Sequence, residues 1–108
     1  MWRIKQGATQ GRSWPLADAS GQPITDFTGW TAEAQVRDLE NDQLLFDWVG
    51  GGGEISLAGS AVTLTLDGAD SDAWAWRLGL YDVKVTDAGG RAAFVANGRV
   101  MVIPAVTR

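Results

Sequence analysis

Apolar side chains recur at every second position through most of this chain, and that period constrains the fold more than any other feature. Trp2 and Ile4 alternate with Arg3 and Lys5. Ala32, Ala34 and Val36 alternate with Thr31, Glu33, Gln35 and Arg37. Val62, Leu64 and Leu66 alternate with Thr63 and Thr65, and Tyr81, Val83 and Val85 with Asp82, Lys84 and Thr86. Leu44, Phe46 and Trp48 share a parity, opposite Leu45, Asp47 and Val49. Successive side chains of a strand point to opposite faces, so each run predicts one face on a core and one in water. Arg99–Ile103 is apolar at both parities, which suits a central strand.

Turn signals separate the runs. Asp18-Ala19-Ser20-Gly21-Gln22-Pro23 is expected to close one strand pair, and Asn41-Asp42 another. Asp87-Ala88-Gly89-Gly90 reads as a hairpin turn, with glycine free to take positive φ and aspartate able to bond its following backbone. Strands at this spacing predict an all-β fold: a single antiparallel β-sandwich, immunoglobulin-like or jelly-roll-like, spanning 1–108 as one domain. Gly50 to Gly53 is expected to be a long mobile loop inside that domain, since the flanks are each too short for a core of their own. The stretch Asp67–Trp76 breaks the alternation. It predicts one short helical turn near 69–76, capped by Asp70 or Ser71.

Composition then removes whole classes of chemistry. Leu, Ile, Val and Phe make up 25 of 108 residues, enough for one core. With neither Cys nor His, disulfides, thiolate nucleophiles, imidazole metal sites and histidine-based triads are excluded. A net charge of −4, with the basic residues scattered, disfavours nucleic acid as a partner. No run approaches the ~18 apolar residues of a membrane span, and Met1–Gly7 has no apolar signal region. A chain made and kept soluble inside a cell is expected.

The remaining motifs favour structure over chemistry. Asp67, Asp70 and Asp72 are the nearest approach to a calcium site, but they lack a terminal bidentate Glu and suit a helix cap better. No spacing singles out a carboxylate pair for glycoside hydrolysis, and no phosphate-binding glycine motif follows a strand. No catalytic residue, metal or cofactor is therefore assigned, and no enzyme is expected. Of the six tryptophans, Trp30 and Trp48 are expected in the core, and Trp74 and Trp76, with Leu78 and Leu80, at one end of the sandwich. Trp2 and Trp14 are expected to be the exposed ones, and with Arg12 they are the residues expected to face a partner. Trp2–Lys5 and Arg99–Ile103 are the expected open edges for pairing with another chain.

Several segments taken in order also resemble a known group. Gln6-Gly7-Ala8-Thr9 leads to Trp14-Pro15-Leu16. The turn Asp18–Pro23 precedes Phe27-Thr28-Gly29-Trp30 and the alternating run that ends Val36-Arg37. Tyr81-Asp82-Val83, Thr86-Asp87, Gly89-Gly90 and Asn97-Gly98-Arg99-Val100 complete the order, which covers nearly the whole chain. This is similar to the small β-sandwich domains of tailed-bacteriophage virion proteins, among them the N-terminal domain of upper baseplate proteins. The resemblance implies a non-enzymatic structural protein of the virion, made in the cytoplasm of the bacterial host. It would be placed in head, connector, tail or baseplate, with other phage structural proteins as partners and symmetric homo-oligomers possible. In the baseplate proteins further segments carry the receptor-binding proteins. Here the chain stops at Arg108, which implies an accessory piece instead. The alternative is a carbohydrate-binding module that aids adhesion to the host surface, which would need two or three coplanar exposed tryptophans.

Overall fold

The computed structural model describes residues 1–48 and 54–104. The glycine run Gly50–Gly53 expected as a loop lies outside the described residues. Two sheets pack face to face, as the alternation predicts. The larger contains β1 (Trp2–Lys5), β3 (Thr31–Asp38), β4 (Leu44–Asp47), β7 (Leu78–Thr86) and β8 (Ala92–Ile103), in the order β1-β8-β7-β3-β4. The smaller contains β2 (Gln10–Pro15), β5 (Glu54–Ala58) and β6 (Ala61–Leu66), in the order β2-β6-β5. Among the described residues all strand pairings are antiparallel except β1 with β8, which is parallel. The fold is thus an all-β sandwich with one parallel pair joining its chain ends, where purely antiparallel pairing was expected.

The inward parity builds one core from both sheets. Ile4, Val36, Val62, Leu64, Leu66, Val83 and Val100 are fully buried. Trp48, 2% exposed, donates its indole N–H to the Thr65 carbonyl at 3.3 Å and so ties the end of β4 to the opposite sheet. Aromatic rings fill one flank: Trp2 stacks on Trp48 at 5.7 Å, and Phe46 meets Trp48 edge-on at 4.8 Å.

The hairpins follow the turn signals with one exception. Asn41-Asp42 lies in the β3–β4 turn, and Asp87 closes the β7–β8 turn by accepting from the Gly89 and Arg91 amides at 2.9 Å. Asp18–Pro23 does not close a strand pair. It folds on itself through an Ala17–Pro23 bridge, because β2 and β3 belong to different sheets. Two strands depart from simple alternation: in β8, Val83 faces Ala96 but Lys84 faces Phe94, so Val95 is extra, and β4 holds a second such residue. Val36 faces Phe46 but Arg37 faces Leu44, so Leu45 is an extra residue in β4. That bulge turns Leu44 outward, 44% exposed, where the parity of Phe46 and Trp48 predicts burial.

The helical turn, α1, runs from Gly68 to Asp72 and is shorter than expected; Trp74–Trp76 lie beyond it. Its cap is Asp67, whose carboxylate accepts from the Ala69 amide at 3.1 Å, and not Asp70 or Ser71. The start is set by packing. A side chain at Gly68 would press on the Gly7 carbonyl, so only glycine lets α1 lie against the β1–β2 connection. The Gly7 amide donates to Ser71 Oγ at 2.9 Å, and the Gln6 amide nitrogen donates to the carbonyls of Ser71, Asp72 and Trp74. Trp74 and Trp76 close the end of the sandwich as expected, Trp74 meeting Phe46 at 5.1 Å. Leu78 and Leu80 do not join them. They sit on the outward parity of β7, 43% and 44% exposed.

Candidate interaction surface

β1 and β2 are the lateral strands of the two sheets, joined by the short connection Gln6–Thr9, and they therefore share one flank of the sandwich. Trp2 points inward with Ile4. Arg12 and Trp14 point inward from β2, opposite Leu64 and Val62. The three residues singled out in the sequence accordingly converge. Trp2 and Trp14 meet edge-on at 6.2 Å, and the Arg12 guanidinium stands 6.0 Å from the Trp2 ring and 5.6 Å from Trp14. Tyr81 completes the cluster, 5.6 Å from Trp2 and 6.0 Å from Trp14.

The expectation that Trp2 is exposed is corrected. It is 5% exposed, because its parity is that of Ile4 and its ring seals the gap between the sheets. Trp14 and Arg12 are half-buried. Among the described residues the Arg12 guanidinium has ring contacts but neither a carboxylate nor a hydrogen-bond partner. Trp30 is half-buried against Phe27, and none of the six tryptophans is exposed.

The expected open edge at Arg99–Ile103 is also corrected. Val100–Ile103 pairs with β1 along its length, and on the other side Val100 and Met101 pair with β7 and the Val102 amide donates to the Arg77 carbonyl at 2.8 Å. β1 is the outer strand of its sheet, as expected of Trp2–Lys5, and a further open edge lies upstream in β8. β8 has twelve residues and β1 only four, so from Ala92 to Arg99 the side of β8 away from β7 is paired with no strand among the described residues. Phe94 on this stretch is 63% exposed. On the opposite face of this stretch from Phe94 lies a groove of about 180 Å³ lined by Leu16, Ile24, Trp30, Val85, Ala93 and Val95 together with Asp87 and Arg91. An unpaired strand edge next to an apolar groove supplies both parts of strand addition: backbone groups to pair and a recess for side chains.

Two exposed turns hold carboxylates below their ordinary value. Asp18 is held below the ordinary carboxylate value by the Ser20 hydroxyl at 2.6 Å, then by the Gln22 and Ser20 amides. Asp26 is lowered in the same way by the hydroxyl and amide of Thr28. Both are Asx-type turn bonds. Among the described residues no helix is long and apolar enough to cross a membrane.

The sequence reading missed the open stretch of β8 and the apolar residues on the outer face of the larger sheet. Parity held the signal for the second, since Leu78 and Leu80 fall in step with Asp82 and Lys84. Nothing local signalled the first, which depends on how far β1 reaches along β8. The chain matches no protein-family model and no curated protein.

Proposed function

We propose that this chain is a structural part of a tailed-bacteriophage virion, held in head, connector, tail or baseplate by protein–protein contacts and performing no catalysis. The order of sequence segments shared with phage β-sandwich domains supports the virion assignment, and an all-β sandwich is the fold that resemblance implies. The observation that carries the contact role is the open stretch of β8. A strand edge from Ala92 to Arg99 that bears no charge before Arg99, with Phe94 63% exposed, carries neither lysine nor proline, and the bulge at Val95 is its one protecting device. Such an edge is suited to being covered in an assembly. Other virion proteins, or symmetric copies of the chain, are the partners this reading assigns. The carbohydrate-binding alternative gains no observation, because no tryptophan is exposed to form a stacking platform.

The test is mass spectrometry of density-purified particles from a host that produces the chain, with hydrogen exchange on the free chain and on particles. The chain should copurify at fixed stoichiometry, and the amides of Ala92–Arg99 should gain protection on incorporation. Absence of the chain from purified particles sinks the virion assignment. Presence with an unprotected β8 edge sinks the edge as its contact.

A further inference from the structure

We propose that one half of the outer face of the larger sheet docks a protein surface that carries carboxylates between aliphatic side chains. This stands apart from the virion assignment, since it rests on the face alone. Strand register sets out two rows there. Arg3, Met101 and Leu78 lie side by side across β1, β8 and β7. Arg99, Leu80, Arg37 and Leu44 lie side by side across β8, β7, β3 and β4. Leu44, Leu78 and Leu80 are each more than two-fifths exposed, so the rows present apolar area to water between guanidinium groups.

The charge on these rows is one-sided. The chain as a whole is acidic, at −4, yet neither row contains a carboxylate. Within the sheet the acids begin in the next row, Asn97, Asp82, Gln35 and Asp47, and Asp38, Glu40 and Asp42 lie at the β3–β4 turn beyond Arg37. Arg37 donates to Gln35 Oε1 at 3.1 Å and to the Asp42 carbonyl at 2.9 Å, contacts that fix its direction without neutralising it. Arg3 and Arg99 have no ion pair among the described residues. Arginine and large apolar groups are the side chains enriched in protein interfaces, and the planar guanidinium matches a carboxylate with two parallel hydrogen bonds.

The same features select the occupant. Two copies meeting symmetrically through this face would set arginine rows against arginine rows, a like-charge contact that opposes association. On DNA the three leucines would lie against phosphates and gain nothing. A surface with carboxylates spaced between aliphatic groups satisfies both kinds of side chain.

The probe is an acetylated, amidated peptide, Glu-Leu-Glu-Leu-Glu-Leu-Glu, titrated into the isotope-labelled full chain and followed by amide resonances. Saturable shifts centred on Leu78, Leu80, Arg99 and Arg37 are expected at peptide concentrations below ~1 mM, weakening as salt is raised. The Arg37→Glu/Arg99→Glu chain should bind about tenfold or more weakly, and Leu78→Ser/Leu80→Ser should also weaken binding while the resonance dispersion of a folded sandwich is kept. The proposal is overturned by saturation absent below ~1 mM, by shifts on another face, or by equal binding of a peptide with lysine in place of glutamate. It is also overturned if a short DNA duplex or phosphatidylserine vesicles shift the same residues more strongly. Self-association of the wild-type chain that Arg37→Glu/Arg99→Glu abolishes would assign the face to a second copy and overturn it too.

Discussion

Gln6 holds the short helix to the end of β1, and changing its amide to a carboxylate should invert a specific interaction. The side chain is 6% exposed, and its Nε2 lies 3.1 Å from the Ser71 carbonyl, 3.2 Å from that of Asp72 and 2.9 Å from that of Trp74. Three carbonyls converging on one atom require a donor. Nε2 carries two N–H donors shared among the three carbonyls, so at a net ~1 kcal/mol per hydrogen bond Gln6→Ala should cost about 2 kcal/mol, a sizeable share of the ~5–15 kcal/mol that holds a domain folded. Gln6→Glu keeps the shape but aims a negative oxygen at three carbonyl oxygens, and should cost about 4–5 kcal/mol at neutral pH. That repulsion raises the folded-state pKa of the introduced carboxyl above its unfolded value of about 4.3. For a raised carboxyl, protonation favours the fold. The ionisation penalty should therefore fade as pH falls through the folded pKa, be absent below the unfolded one, and return as pH rises, while the neutral carboxyl, with one O–H, still falls short of the amide's two donors. Urea denaturation of wild type and both variants at pH 4 and pH 7 decides the matter, with unchanged m-values required for the comparison. Relative to wild type, the Gln6→Glu midpoint should rise on acidification while the Gln6→Ala midpoint does not. Equal losses in the two variants, with the same response to pH, would refute a carbonyl cluster that demands a donor.

Two further predictions follow from local geometry. Gly68→Ala forces a methyl group against the Gly7 carbonyl, 2.8 Å from its carbon, with backbone on both sides. It should cost about 2–3 kcal/mol and lower the thermal midpoint by roughly 10–20 °C. Gly21→Ala, at φ +88° with open space around it, should cost only about 1 kcal/mol; a Gly68 variant no worse than this one would contradict the close packing of α1 on β1–β2. In the exposed turns, the depressed carboxylates of Asp18 and Asp26 organise their loops above the unfolded value of 3.8, and those bonds are lost as pH falls through the lower folded values. Amide resonances of Ser20, Gln22 and Thr28 should titrate with midpoints below 3.8, and midpoints at or above it would contradict the turn bonds.

Much of the sandwich was legible because burial in a strand is a matter of parity. Ala34 and Val36, Val62 to Leu66, and Tyr81 to Val85 face the core as their alternation indicates. What escaped the sequence depends on contacts between distant segments. The Leu45 bulge has no marker in the residues around it, and it alone sends Leu44 outward. The helix begins at Gly68 because Gly7 lies against it, a contact sixty-one positions away in the chain. The open stretch of β8 exists because β1 is short, which neither strand records by itself.

Trp2 shows how a side chain's chemical character can mislead where its position does not. A tryptophan near a terminus invites the role of partner anchor, yet it shares the parity of Ile4, and Ile4 is fully buried. The same rule applied to the opposite face has the opposite consequence. Leu78 and Leu80 occupy the parity of Asp82 and Lys84, where a sheet turned to water gains nothing from leucine. Large apolar residues in step with charged ones are thus the mark of a surface that expects cover, and here they fall in register with Arg99, Arg37 and Arg3. The docking face proposed for this sandwich is thus built from residues that violate its pattern, while the residues that obey it account for the core.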